Sequence, residues 1–134
     1  MKRIATIAVA SVAALAAFST SAYAAAPALT SAEVDAQIDC GDLVAAGSFV
    51  KCNYVVSNKG TDTLTCRANI YLSEGGVLQA SATDADNVIA AGKSFSGSVS
   101  LKTSNAYKSG NARIVAQCAS RSGFVDDTDG FQIK

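Results

Sequence analysis

The sequence predicts an all-β protein, an immunoglobulin-like antiparallel β-sandwich of about seven strands with two disulfides. Apolar and polar residues alternate with a period of two in one short stretch after another. Clusters of Gly, Asn, Asp and Ser separate these stretches, and no segment after residue 24 has a sustained helical period. A small β-barrel is the alternative fold, because a closed sheet produces the same alternation.

Residues 1–24 have the pattern of a cleaved signal peptide. A basic start is followed by an Ala-rich apolar run, which ends in the small-x-small sequence Ala22-Tyr23-Ala24. The apolar run is shorter than the ~20 residues that span a bilayer, and no basic stop follows it. We therefore expect a bacterial protein that is secreted or periplasmic, with no membrane span after cleavage.

The mature chain is expected to be one domain, at residues 33–134, behind a flexible lead. The lead, residues 25–32, is rich in small residues and contains Pro27, the only proline. The first strand is predicted at Val34–Cys40, where apolar residues alternate with Asp and Gln.

The clearest hairpin signal runs from Phe49 to Leu72. Its two strands, Ser48–Ser57 and Leu64–Ser73, flank a run of turn residues at 58–62. In the second of these strands the residues of one phase are apolar and those of the other are polar. This pattern is expected of a strand with one face on a core and one in water.

Four more strands are predicted in the second half of the chain. A short strand at Val77–Ser81 follows a glycine turn, and residues 82–91 are predicted as irregular. The strand at Lys93–Leu101 alternates serine with apolar residues, and Gly97 on its apolar face indicates a bulge or a close backbone approach. Asn111–Ser120 is the sixth strand. A last strand lies within 124–133, broken by the sequence DDTDG.

The four cysteines all follow the predicted signal, so two disulfides are expected in an oxidising compartment. If successive strands reverse direction, Cys40 and Cys52 lie near one end of the sandwich. Cys66 and Cys118 then lie near the other end. Because bonded cysteines need Cα atoms within about 7 Å, the pairs Cys40–Cys52 and Cys66–Cys118 are preferred. The alternative joins Cys52 to Cys118 across the two sheets and leaves Cys40 to Cys66.

Composition excludes several kinds of function. The chain contains no His, which removes Ser-His-Asp and Cys-His catalysis and His-ligated zinc. Without Lys2 and Arg3 the remaining basic residues are two fewer than the 11 acidic ones, so the mature chain has no electrostatic footprint for nucleic acid. No cofactor and no catalytic residue is predicted.

Two acidic groups are candidate sites. Asp126, Asp127 and Asp129 offer the oxygen ligands that calcium binds, but the calcium-loop pattern is incomplete, and a solvated turn is the competing interpretation. Asp84 and Asp86 could form a catalytic carboxylate pair. They are interpreted instead as solvated loop residues, since nothing apolar around them would shift a pKa.

The segment from Phe49 to Phe95 resembles the FxLYD domain, a bacterial β-sandwich family. The matching features are an aromatic-led strand with an Asn-containing turn at Tyr54–Gly60, an alternating strand with a glycine turn at Ala68–Leu78, and a glycine-basic step before an aromatic at Ile89–Phe95. The resemblance implies a β-sandwich and no defined catalytic role.

These observations predict a secreted, non-catalytic interaction or structural module that binds an unidentified protein or envelope partner. Phe49 and Tyr71 lie on the faces opposite their core sets and are candidates for a contact patch. Two alternatives are a subunit of a surface or fimbrial assembly, and a secreted inhibitor of a hydrolase. The sequence itself names no partner.

Overall fold

A computed structural model describes residues 25–104 and 108–134, so the predicted signal peptide at 1–24 lies outside the described residues. These residues form eight strands: β1 (Val34–Asp39), β2 (Leu43–Val44), β3 (Phe49–Asn58), β4 (Leu64–Glu74), β5 (Val77–Ile89), β6 (Ser94–Lys102), β7 (Ser109–Cys118) and β8 (Val125–Ile133). One sheet has the order β1-β3-β6, and the other has the order β2-β8-β7-β4-β5. Every pair is antiparallel except the two-residue parallel pair of β2 with β8. No helix in the described ranges could cross a membrane.

The predicted fold class, an all-β sandwich, is confirmed, and the hydrophobic core lies between the two sheets. The strands other than β5 bury mainly apolar residues of one phase, whereas β5 buries only Ile89 fully. Ile70 and Leu72 of β4 and Ile114 of β7 are completely buried. Complete burial of side chains of this size contributes roughly 1.5–3 kcal/mol each.

Both disulfides join neighbouring strands of one sheet. Cys40, directly after β1, bonds to Cys52 of β3, and Cys66 of β4 bonds to Cys118 of β7. The second pair occupies directly opposite positions of the β4–β7 ladder, with Cα atoms 4.0 Å apart. These are the two pairs that the strand heights favour.

The lead at residues 25–32, expected to be flexible, is attached to the domain. Leu29 is buried in the core, and its amide donates a hydrogen bond of 2.8 Å to the carbonyl of Ser122. Ala28 forms a parallel bridge with Ser122. The expectation overlooked the single large apolar side chain of the lead, whose burial fixes the segment.

Two segments that were predicted to be irregular are strands in the structure. The segment 82–91 is mostly strand, because β5 continues to Ile89. A bulge opposite Arg67 accommodates polar residues of this segment within the strand. The last strand is not broken at DDTDG, since β8 is continuous through it. The acidic side chains there have partners that offset their low strand propensity: Asp127 accepts from the amide of Ile38, and Asp129 accepts from the amide of Cys40.

Polar contacts close the end of the sandwich that carries the β3–β4 turn. The side chain of Asn58, 1% exposed, donates to the carbonyls of Asp62 and Ile89, which belong to this turn and to the end of β5. Arg121 donates to Glu33 at 2.7 Å and to Asp62 at 3.1 Å. Because the hydrogen bond from Arg121 stabilises the Glu33 carboxylate, it lowers the pKa of Glu33, although partial burial opposes that change.

Candidate functional site

A shallow depression of about 470 Å³ lies on the outer face of the five-stranded sheet. We call its lining residues the outer patch. They are Tyr71, Ser73, Leu78, Arg113, Val115, Gln117 and Phe124. Leu78 is 57% exposed and Phe124 is 49% exposed, so both present large apolar side chains to solvent.

Strand register brings these side chains together. Tyr71 of β4 lies opposite Arg113 of β7 on one side and opposite Ser81 of β5 on the other. Val115 and Gln117 follow Arg113 at intervals of two on β7, so they share its face. Leu78 reaches the same face at the start of β5, where it lies opposite Ser73. The outer patch is therefore built mainly by strands of the sheet, and Phe124 joins it from the position directly before β8.

Arg113 is held in place by two contacts. Its guanidinium donates a hydrogen bond of 2.9 Å to Asp126 and lies 5.4 Å from the centre of the Phe124 ring. The first contact neutralises its charge, and the second is a cation–π contact of about 0.5–1 kcal/mol at an exposed position. The depression thus combines apolar side chains with an arginine whose charge is paired.

The lining of the outer patch combines apolar and hydrogen-bonding side chains. The patch offers apolar surface from Tyr71, Leu78 and Phe124, with hydrogen-bonding groups at its margin. Aromatic residues with a neighbouring arginine are the side chains that most often anchor protein interfaces. Among the described residues, no group of three or more acidic or cysteine side chains could hold a metal ion.

Phe49 and Tyr71 do not form one patch. Phe49 begins β3 and points outward from the three-stranded sheet, where it is 61% exposed and lies 5.4 Å below the ammonium of Lys102. Tyr71 points outward from the other sheet. Outward faces of the two sheets of a sandwich lie on opposite sides of the molecule, so only Tyr71 belongs to the outer patch.

Asp84 and Asp86 are separated by the bulge in β5 and have different partners. Asp84 accepts a hydrogen bond of 2.5 Å from the Tyr54 hydroxyl and one of 3.0 Å from the Asn87 amide. Asp86 pairs at 3.3 Å with Arg67 on the outer face. Burial raises the pKa of the Tyr54 phenol, and the hydrogen bond to Asp84 raises it further. The two carboxylates are engaged separately and do not share a pocket.

Asp126, Asp127 and Asp129 lie in β8 and not in a turn. Successive side chains of a strand point to opposite faces, so Asp126 meets Arg113 on the outer face while the other two reach β1. The strand geometry keeps the three carboxylates from converging on one ion. Asp127 and Asp129 instead bond to backbone amides on the free side of β1.

The sequence analysis did not identify Leu78, Arg113 and Phe124 as site residues. Arg113 carries a usable signal, because its phase in β7 is outward and the disulfide Cys66–Cys118 fixes its position opposite Tyr71. Leu78 carries no such signal in the sequence. A register irregularity between Leu78 and Ala80 changes the face of the sheet on which Leu78 lies.

Comparison with known proteins supports the fold and leaves the activity open. No protein-family model matches the chain, and no curated protein matches it. A β-glucosidase from Listeria innocua aligns with 75% of this chain at 12% identity and a TM-score of 0.50, and the aligned part is 16% of that enzyme.

Two smaller proteins align over most of their own length. The CARDB domain of a Pyrococcus furiosus protein, solved in complex with di-metal ions, aligns over 75% of this chain and 87% of its own, at 15% identity and a TM-score of 0.53. A variant of superoxide reductase (neelaredoxin) from Ignicoccus hospitalis aligns over 74% and 79%, at 15% identity and a TM-score of 0.52. At these identities the likeness concerns the β-sandwich alone.

Proposed function

We propose that this protein is a secreted, non-catalytic interaction module, and that its outer patch binds a protein partner. The observation that carries the proposal is that exposed Leu78 and Phe124 line one depression with Arg113, whose charge is paired with Asp126. A partner that covers the patch would bury both apolar side chains without stripping water from an unpaired charge.

Two further features support the proposal. All four cysteines are bonded, as expected for a chain that works in an oxidising compartment. Arg113 at the patch is paired with Asp126 at 2.9 Å, so a partner would not have to supply a counter-charge for it. We therefore assign the binding of a protein partner to the outer patch.

The test is photo-crosslinking in the periplasm or culture medium of the producing bacterium. A photoreactive phenylalanine analogue replaces Phe124 in one variant and Phe49 in a control variant, because both positions carry exposed aromatic rings but lie on opposite faces. We expect a discrete adduct from position 124 that position 49 does not give. The change Leu78→Ser, made in the first variant, should remove that adduct while the melting temperature stays unchanged.

Two outcomes would contradict the proposal. One is an adduct that forms equally from positions 124 and 49, since it would reflect general stickiness. The other is an adduct from position 124 that survives both Leu78→Ser and Tyr71→Ser, because binding would then not depend on the apolar part of the patch.

A further inference from the structure

The edge strands of the two sheets differ in how far their unpaired backbone groups are blocked. An edge strand exposes unpaired N–H and C=O groups, and proteins usually block them with charges, bulges or short strands. The described residues form four edge strands, β1 and β6 in one sheet and β2 and β5 in the other. The edge of β1 is blocked, because Asp127 and Asp129 occupy the amides of Ile38 and Cys40. The β2 strand has two residues, too few to template another strand.

The β6 edge faces β5 and is partly covered by it. The chain turns at residues 90–93 from β5 into β6, where the Lys93 amide donates to the Ala90 carbonyl. Farther along, the Tyr54 hydroxyl reaches Asp84 of β5 from the strand next to β6. These contacts tie β6 to β5 at two points, and β5, with 13 residues against 9, is the longer of these two edges.

The β5 strand is 13 residues long, and among the described residues it pairs only with β4. Its register with β4 shifts near Gln79 and again at Ala85–Asp86. Between these two irregularities, Ala80–Asp84 pairs regularly with Ala68–Leu72. The first four side chains of this stretch are small and uncharged, so nothing in them obstructs an approaching backbone.

We propose that the free side of Ala80–Asp84 receives a short extended segment of the protein partner as a sixth strand of the sheet. Strand addition supplies affinity through backbone hydrogen bonds and specificity through pockets for alternate side chains. The outer patch provides such a pocket, because Ser81 lies between the added strand and Tyr71, and Leu78 lies just beyond the first irregularity. This inference rests on the proposed function, since it states the form in which the partner binds.

A second copy of the chain is a poorer occupant than a foreign strand. A two-fold antiparallel pairing of β5 about Ala82 would place Leu78 opposite Asp86 of the other copy. That arrangement sets an exposed apolar side chain against a carboxylate. The irregularities of both copies would also coincide, which limits the ladder to the few residues between them.

The inference can be tested with peptides. Random linear peptides displayed on phage are selected against the mature protein, and the best binder is added to isotope-labelled protein. We expect it to slow hydrogen exchange of amides within Ala80–Asp84 and to give cross-strand nuclear Overhauser contacts there. A peptide that protects amides only elsewhere would overturn the inference, as would failure to select any binder.

Two proline variants test whether an outward-facing amide of β5 is needed for peptide binding. Amides of successive strand residues point to opposite sides, so Ser81→Pro and Ala82→Pro remove one amide that faces β4 and one that faces outward. The variant that keeps its melting temperature has lost the outward amide. We expect it to bind the peptide at least about tenfold more weakly. Unchanged binding by this variant would refute strand addition.

The outcomes separate this inference from the proposed function. If the patch change Leu78→Ser abolishes partner crosslinking while the edge amides stay unprotected, the patch binds a partner without an added strand. Protection of the edge amides in the protein alone, together with dimers in sedimentation, would replace the foreign strand by a second copy and overturn the inference.

Discussion

The hydroxyl of Tyr54 in the three-stranded sheet donates a hydrogen bond of 2.5 Å to Asp84 in the five-stranded sheet. The phenol is almost fully buried, and its ring lies over Gly97, the residue opposite it on β6. A Cβ atom at Gly97 would lie 2.5 Å from the Tyr54 oxygen. The glycine is therefore present to admit a side chain that joins the two sheets, and not to make a bulge or a close backbone approach.

Removing this hydroxyl should destabilise the protein. The change Tyr54→Phe keeps the ring and removes one hydrogen bond to a half-buried carboxylate, so we expect a loss of about 1–2 kcal/mol. Urea denaturation at neutral pH measures it. Tyr71→Phe is the matched control, because that phenol lies in the outer patch, and it should change stability by less than ~0.5 kcal/mol. An equal loss in both variants would contradict a special role for Tyr54.

The same phenol should make the free energy of unfolding decrease as pH rises in the alkaline range. The pKa of Tyr54 is raised in the folded protein, whereas an unfolded tyrosine ionises near pH 10. Its contribution is fully present below the unfolded pKa and is lost as pH rises above it, because the unfolded state then releases a proton that the folded state retains. One such group gives a limiting slope of about 1.4 kcal/mol per pH unit. Urea melts between pH 8.5 and 10.5 should show a shallower decline for Tyr54→Phe than for the parent protein. Equal declines would contradict the assignment.

Filling the space at Gly97 should have a related effect. The change Gly97→Ala places a methyl group against the Tyr54 ring and should cost about 1–3 kcal/mol by overpacking. Gly130→Ala is the matched control, since Gly130 is also in a strand, and its nearest neighbour would be the flexible Asn111 side chain at 3.2 Å. In the background Tyr54→Leu the cost of Gly97→Ala should fall by at least ~0.5 kcal/mol, because residues in contact are not additive. A cost that does not depend on residue 54 would show that backbone preference alone disfavours alanine.

Much of this fold follows from the sequence, and the two segments wrongly predicted as irregular share one physical origin. Periodicity reports which residues face the core, and together with the even cysteine count it predicts the strands and the disulfide pairs. The disulfide Cys66–Cys118 even sets the register that puts Tyr71 opposite Arg113. Periodicity cannot report a side chain that bonds across strands or sheets. Asp84 and Asp127 therefore resemble loop residues in sequence, although their partners hold them in strands.

The carboxylates on the β1 edge should act in stability and not in calcium binding. Asp129→Ala removes the acceptor of the Cys40 amide, and we expect a loss of about 1–2 kcal/mol, because the bond involves a charged group that is only part-buried. Asp129→Asn keeps an acceptor and should lose less. Thermal melts of the parent protein with and without millimolar calcium should coincide. A calcium-dependent rise in melting temperature that Asp129→Asn abolishes would instead support a metal site.

The two disulfides should contribute unequally. Cys66 and Cys118 are 52 residues apart, and Cys40 and Cys52 are 12 apart. In the chain-entropy model the longer loop contributes about 4 kcal/mol and the shorter about 3, because a longer loop restricts the unfolded chain more. We therefore expect Cys66→Ala/Cys118→Ala to lose more stability than Cys40→Ala/Cys52→Ala in denaturant melts. All four cysteines are buried, so loop length is the difference on which this prediction rests. The opposite order would mean that native packing around Cys40 outweighs the restriction of the unfolded chain, and the Asp129 hydrogen bond to the Cys40 amide would then be the first contact to test.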